Sequence, residues 1–452
     1  MVGPKYKRPG VQQPTVYRGV ENPAVPPDPQ TLADTKWFDV FNDDVLQELI
    51  RQALLSNYDL REAVARVDQA QANYGIVRSD QFPKVGAGAN WTVQGLSRNG
   101  EFELPEGNKR TRTFGGVLLS LLTFEVDIWG RLRSATASAK AQMLASEETR
   151  KAVITTLVSD VATAYFNLRE LDLELDIEKR TLGAREESLR IIRSRQQRGV
   201  SNLLELRQSE QLVYQAAAVI PDTERAIEQQ ENFIRFLLGS NPEGIPRGRG
   251  LTEQVMPPSV PSGLPSELME RRPDIRAAEQ NLISANALIG VAKAAYYPRI
   301  TLTGFLGFQS AQLSSLFNGS RGIWGFTPQL TQPIFTAGEI KSTVKFSEAQ
   351  KEAFLVSYER SIQNAFREVS NSLIAYRKVR EVRTQSELLV KTLTDRSRLA
   401  YMRYNYGVSN LLEALDADKD LFEGELSLAQ IRRDELLTVV QLYKALGGGW
   451  QV

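Results

Sequence analysis

The sequence predicts a mainly helical chain carrying four short alternating segments, laid out as two copies of one unit. Three observations carry that prediction. The heptapeptide GVSNLLE occurs at residues 199–205 and again at 407–413, a shift of 407 − 199 = 208 residues. Two stretches, 134–198 and 339–406, run without proline, with Gly183 as their one glycine. Four segments of about ten residues alternate apolar side chains with polar ones or glycine, the period of a strand.

The duplication sets the domain organisation, because repeats decide how the rest of a chain is read. NYDLREA at 57–63 parallels RPDIRAA at 272–278, and PKV at 83–85 parallels PRI at 298–300, both 215 apart. FLLG at 236–239 parallels KALG at 444–447 at 208. The expected layout is an extended N-terminal arm over 1–41, a first copy over 42–240, a Pro/Gly-rich joint over 241–266, a second copy over 267–447 and a tail over 448–452.

In each copy a helical stretch leads to a proline, two strands follow, and a long helical hairpin closes the unit. In the first copy the strands are expected at 84–95 and 112–126, and the hairpin tip at 199–205. Val85, Ala87, Ala89, Trp91 and Val93 alternate with Gly86, Gly88, Asn90 and Thr92. The next segment alternates less cleanly, with Phe114, Leu118, Leu122 and Phe124 on one side. In the long helix Val153, Leu157, Val161, Ala164, Leu168, Leu171, Leu175, Leu182 and Leu189 recur at coiled-coil-like steps of three, four and seven. At 1.5 Å per residue such a helix reaches ~97 Å, too long for a compact globule of this mass. The second copy repeats the pattern, with strands at 299–310 and 323–335 and a tip at 407–413.

Period alone fits four half-buried strands of an ordinary sheet at least as well as membrane strands. Four strands do not close a barrel, for which about eight is the practical minimum. Membrane strands therefore require several chains to share one barrel, and three chains would supply twelve. No stretch reads as a spanning helix: the charge-free run 300–320 carries threonines, glutamines and serines. MVGPKYKRPG has no charged region followed by an apolar core, so no signal peptide is expected in the sequence as given.

Composition removes whole classes of chemistry. The 452 residues include no cysteine and no histidine, and 55 Lys plus Arg face 54 Asp plus Glu for a net charge of +1. Thiolate nucleophiles, CxxC pairs and Ser-His-Asp arrangements are excluded, and a carboxylate hydrolase lacks a paired-acid motif. The near-zero charge argues against a nucleic-acid partner. GGGW at 447–450 lacks the GxxxxGK[ST] pattern of a phosphate loop. Tyr296, Tyr297, Trp91 and Trp324 fall near strand ends, where an interfacial aromatic belt and ordinary core packing are equal readings.

Specific motifs then point to a family. LPSELMERRPDIRAAE at 264–279, running on to AAYYPRITLTG at 294–304, resembles the signature of the TolC superfamily of outer-membrane efflux channels, and within it the OprM/NodT-like lipoprotein branch. FEVDIWGRLR at 124–133, Ile220-Pro221 ahead of NFIRFLLG at 232–239, PIF at 333–335 with Gly338, and GPKYKRP at 3–9 support it. The resemblance implies a homotrimer in the bacterial outer membrane, with a 12-stranded β-barrel (four strands per chain) on a long periplasmic α-helical barrel. It implies no enzymatic activity and no cofactor. Its partners would be a periplasmic adaptor protein, an inner-membrane resistance–nodulation–division pump and outer-membrane lipid. The branch carries an acylated cysteine just before a VGPxYxRP-like segment, which implies an N-terminal lipid whose cysteine is absent from this chain. The same tube serving an ABC exporter, and a soluble coiled-coil scaffold, are the competing readings.

The candidate functional residues cluster at the two tips. A glycine-centred turn between helices gives the freedom a reversal needs, and the family role implied for Gly199, Val200, Ser201, Gly407, Val408 and Ser409 is adaptor docking. Glu413 and Asp416, three apart, share one helix face. In a trimer each would make a ring of three carboxylates that favours cations and narrows a pore, and both match the family's aperture acids. Asp418 and Asp420 fit a solvated face better. Tyr404 matches a family gate tyrosine whose expected partner is Glu205. The arginine expected after the second turn is replaced by Ser409, with Arg198 or Arg403 as substitutes. Cargo is not legible in the sequence.

Overall fold

The computed structural model describes residues 2–11, 14, 17–19, 32, 36–97, 109–254, 267–317 and 319–450. Residues 255–266 of the expected joint, most of 12–35 in the arm and the tail residues 451–452 lie outside them. In chain order the main elements are α1 (Trp37–Val40), α2 (Asp44–Ser56), α3 (Tyr58–Ser79), β1 (Val85–Gly95), β2 (Thr111–Glu125), α4 (Arg131–Gln197) and α5 (Leu203–Leu237). There follow α6 (Leu268–Arg271), α7 (Pro273–Ala294), β3 (Arg299–Ser310), β4 (Gly322–Thr331), α8 (Glu339–Asn405) and α9 (Leu411–Ala445). Helices α4 and α8 both have 67 residues, and α5 and α9 both have 35. The long pair starts 339 − 131 = 208 residues apart, the shift of the duplicated heptapeptide. The chain divides into two compact units.

The first unit comprises Met1–Pro9, Val67–Ser146 and Ala278–Tyr358. Its strands form one antiparallel sheet in the order β1-β2-β3-β4. Paired residues share a face, so the register sorts the side chains. Ala87, Leu119, Leu306 and Trp324 form one cross-strand row, and Val85, Leu121, Gly304 and Phe326 the next. The opposite face is mixed: it carries Asn90, Thr92, Ser120, Thr303, Gln309, Thr327 and several glycines, together with Phe114, Leu118, Phe305 and Ile323. The apolar face is open: Trp324 is 77% exposed, Leu306 62% and Leu119 55%. In water such a face costs free energy in proportion to its area. In hydrocarbon it is matched.

Strand β2 departs from simple alternation at one point. The register shifts between Leu121 and Phe124, where two residues of β3 span three of β2. This bulge turns Phe124 onto the apolar face opposite Leu302, whereas Phe114 and Leu118 stay on the other face. The one-sided grouping of Phe114, Leu118, Leu122 and Phe124 expected from the sequence is thus corrected. Strand β4 stops at Thr331, short of residue 335, because Pro333 has no N–H to donate. Pro328 is accommodated within β4 because β4 is an edge strand.

The start of the chain straps this unit. Val2 N–H donates to the Trp129 carbonyl at 3.1 Å, and Asn286 Nδ2 donates to Pro4 O at 2.9 Å. Tyr6 and Arg8 both reach Glu279, at 3.0 and 2.7 Å. The crossing is close: a Cβ on Gly3 would stand 2.6 Å from Gly290 Cα.

The second unit comprises Gly10–Arg66, Glu147–Ala277 and Glu359–Val452. The apolar stripe of α4 is its spine, with Leu157, Val161, Ala164, Leu168 and Leu189 buried. Asp43 is a polar hub beside it, 2% exposed. Its carboxylate caps α2 by accepting from Val45 and Leu46 N–H, and accepts from Tyr165 OH, Arg249 N–H and Gln254 Nε2 at 2.9–3.0 Å. Burial alone would raise its pKa, but these donors outweigh burial and hold it below the usual carboxylate range.

Glu170 behaves oppositely. It is 4% exposed on α4, faces Glu174 on its own helix, and meets Arg433 of α9 at 3.3 Å, with Asp434 and Gln430 alongside. Burial, and then the hydrogen bond and charge of Glu174, push its pKa up to about 7 against the opposing pull of Arg433. The folded state therefore holds a proton that the unfolded state releases near pH 4.5. The stabilisation is complete below that value and is lost as pH rises through about 7. Glu170→Gln is expected to flatten the dependence of the thermal midpoint on pH across this window. Circular dichroism melts in detergent from acid to mildly alkaline pH check it, and an unchanged slope refutes it.

Candidate functional site

The two hairpin tips, both in the second unit, are built alike. At the end of α4, Gly199 has φ of 76°, its N–H donates to Gln196 O, and Val200 N–H donates to Arg195 O. At the end of α8, Gly407 has φ of 71°, its N–H donates to Tyr404 O, and Val408 N–H donates to Arg403 O. This is glycine-terminated helix capping, in a backbone region where a Cβ is strained. Asn202 and Asn410 then start the returning helices, their Oδ1 atoms accepting from the N–H groups of Glu205 and Glu413 at 2.9 and 3.1 Å. Both turns project apolar side chains into solvent, Val200 at 76% and Val408 at 68% exposure. Ser201 hydrogen-bonds Glu205, whereas Ser409 Oγ reaches only Asn410 O at 3.5 Å.

Glu413 and Asp416 are both exposed. Glu413 lies 3.5 Å from Arg403, and Asp416 has no ion-pair partner among the described residues. Asp416 stands at the position equivalent to Gln208 (416 − 208), so this acid belongs to the second copy alone. Asp418 departs from the solvated reading. Its carboxylate accepts from Arg185 Nε at 2.7 Å, with the two side chains only 15% and 5% exposed. Arg185 also donates to Leu212 O and stacks on Phe422 at 5.1 Å. Burial, and then the charge of Asp418, push the Tyr401 hydroxyl up to about 12. Asp420 pairs with Arg396 at 2.5 Å on a half-exposed surface.

Tyr404 is half-buried against the cluster of Leu189, Ile192, Leu206, Val213, Leu411 and Leu415. No hydrogen bond joins it to Glu205 among the described residues. Instead the Arg195 guanidinium stacks over its ring at 5.3 Å and donates to Asn405 Oδ1 at 3.3 Å. Arg403 is taken by Glu413, and Arg198 makes no ion pair among the described residues. Sequence reasoning missed Arg195, although the repeat pointed to it: 403 − 208 = 195. Arg185 had no such signal, since its counterpart is Leu393.

A sheet with one open apolar face and one more polar face, on a chain of long hairpins, suits a membrane conduit. The chain belongs to the outer membrane efflux protein family, whose model matches residues 49–240 and 264–448. The solvent efflux pump outer membrane protein SrpC of Pseudomonas putida is 39% identical over 420 residues, 91% of this chain and 87% of that protein. Outer membrane protein OprJ of Pseudomonas aeruginosa is 35% identical over 452 residues, 99% of this chain and 93% of OprJ. The crystal structure of the open state of the Neisseria gonorrhoeae MtrE outer membrane channel superposes with a TM-score of 0.89 at 33% identity, covering 99% of this chain and 98% of that one. The protein is an efflux channel of the outer membrane, not an enzyme.

Proposed function

We propose that three copies of this chain close one 12-stranded barrel and form the exit duct of a tripartite efflux pump, passing small molecules from periplasm to exterior. The observation that supports this reading is the four-stranded sheet, with its apolar face exposed and with β1 and β4 unpaired along their outer edges among the described residues. Hydrocarbon tolerates neither open edge, and pairing β4 of one copy with β1 of the next removes both. The exposed apolar tips, Val200 and Val408 beside Gly199, Ser201, Gly407 and Ser409, are the docking points for a periplasmic adaptor, behind which stands an inner-membrane pump of the resistance–nodulation–division type. Glu413 and Asp416 form the acidic rings of a periplasmic aperture, which Tyr404 under the Arg195 guanidinium braces, while Glu205 holds Ser201 at the first tip. An acyl-bearing residue ahead of Val2 would emerge beside Trp129, at the foot of the strands.

Mass measurement of the detergent-solubilised protein, followed by planar-bilayer recording, tests the duct. Trimers that conduct ions are expected, and a monodisperse, non-conducting monomer sinks the reading. For the tips, Val200→Asp combined with Val408→Asp is expected to weaken adaptor binding by at least tenfold, since charge replaces two apolar anchors, while leaving conductance intact. Undiminished binding in surface plasmon resonance would remove the turns from the interface.

A further inference from the structure

A buried column of acids in the second unit takes no part in the tips or the aperture. Glu170, Glu174 and Glu178 follow one another at steps of four along α4, so they stand on one face of that helix. Glu170 and Glu178 are each 4% exposed. The column touches both helices packed against it. Glu170 meets Arg433 of α9 at 3.3 Å, Glu174 accepts from Gln430 Nε2 of α9 at 3.0 Å, and Glu178 accepts from Thr223 Oγ1 of α5 at 2.9 Å. The second oxygen of Glu178, Oε2, is buried without a hydrogen-bond partner among the described residues.

Charge around the column does not balance. Arg433 is the one cation that pairs with it among the described residues, and it is shared with Asp434 at 2.8 Å. The other cations alongside are taken: Lys179 by Glu224 of α5 at 2.9 Å, Arg180 by Glu425 of α9 at 2.5 Å, and Arg225 by Asp222 of α5 at 2.5 Å. Four carboxylates therefore share one guanidinium. Like charges one helical turn apart repel strongly where water is scarce, and a buried carboxylate oxygen with no donor is costly when ionised. A proton removes both costs. Burial first, against the pull of the Thr223 hydroxyl, and then the charges of Glu174, Asp222 and Glu224 hold the Glu178 carboxyl above its ordinary value.

The repeated unit folds without acids at these places. In α8, 208 residues on, the equivalents are Lys378, Val382 and Ser386, and Thr223 is matched by Ile431 in α9. The first copy also carries Pro221 inside α5, two residues before Thr223, where the missing N–H removes one helical bond. The column grips α5 beside that weakened turn.

We propose that Glu170, Glu174 and Glu178 form a proton-operated clasp: protonated, the column holds α5 and α9 against α4, and ionised it lets them part, so that flow through the duct responds to periplasmic pH. Release follows from the charge count, because separating the helices is what brings water and counter-ions to the stranded carboxylates. The effect on flow rests on the duct reading, whereas the movement of the helices does not.

The chain has no cysteine, so a nitroxide pair can be placed on Asp176→Cys of α4 and Ser427→Cys of α9, both exposed. Pulsed electron double resonance on the full chain in detergent, diluted with unlabelled protein, is expected to show the pair about 2 Å further apart at a pH of about 8 than at about 5. Bilayer conductance is expected to rise about twofold over the same range. Glu170→Gln with Glu178→Gln, which imitates the protonated column, is expected to keep the short distance and the low conductance throughout. A wild-type distance that ignores pH overturns the proposal, and a double variant that keeps the response overturns it by assigning the proton to other groups. Conductance that ignores pH while the distance responds overturns the control of flow. A responding distance in a protein that forms no channel supports the clasp and sinks the duct reading, so the two failures are distinct. Should the double variant fail to fold, Thr223→Val decides. It removes the hydroxyl that favours ionised Glu178, so the distance change is expected at higher pH, and an unmoved one overturns the clasp.

Discussion

Replacing Glu413 and Asp416 together by alanine is expected to raise single-channel conductance severalfold and to reduce selectivity for cations. Both carboxylates are exposed near the second tip, one beside Arg403 and the other unpaired among the described residues. In the proposed trimer the double substitution would remove six negative charges from the proposed aperture, where the field of a charge ring sets which ions enter. It also frees Arg403, so the sign of the local charge reverses. Asp418→Ala is the informative contrast. Its carboxylate is committed to Arg185 in a half-buried pair, so its loss strands a buried cation and is read as lost stability. Planar-bilayer recording with reversal potentials separates the two, and unchanged conductance and selectivity in the double variant would exclude these residues from the aperture.

Asp43→Ala is expected to cause the largest loss of stability in the chain. It strips the cap of α2 and orphans donors on Tyr165, Arg249 and Gln254 in one step. A lost cap with several unsatisfied buried groups costs about 3–5 kcal/mol. The depressed pKa fixes the direction with pH. Stability from Asp43 is present above the unfolded carboxylate value and is lost as pH falls through the lower folded value. Melts at neutral pH are expected to show the midpoint lowered by roughly 5–15 °C, with the gap between wild type and variant closing in strong acid. A gap that persists there would mean that the lost contacts are not those of the charged form.

The architecture was legible where it depends on short-range pattern. Residues 199–205 and 407–413 announced the duplication, the uninterrupted stretches announced helices, and alternation announced strands. The bulge after Leu121 was not legible, because the extra residue is defined only against β3. The tips could be found because a turn between helices needs a glycine that a sequence displays openly. Their bracing could not, since cation–π and buried ion pairs join residues about 210–230 apart, such as Arg195 with Tyr404 and Arg185 with Asp418. Asp43 gave no signal for the same reason: two of its five donors are local, and three come from α4 and the joint.

The two unpaired sheet edges also constrain how the protein is made. A single chain entering the bilayer would carry unsatisfied N–H and C=O groups along β1 and β4, each costing several kcal/mol in hydrocarbon. In the proposed trimer, insertion and oligomerisation would be one kinetic event, steeply dependent on chain concentration. Until then the same edges would be templates for wrong pairing, so the exposed sheet is the part of a lone chain most open to aggregation.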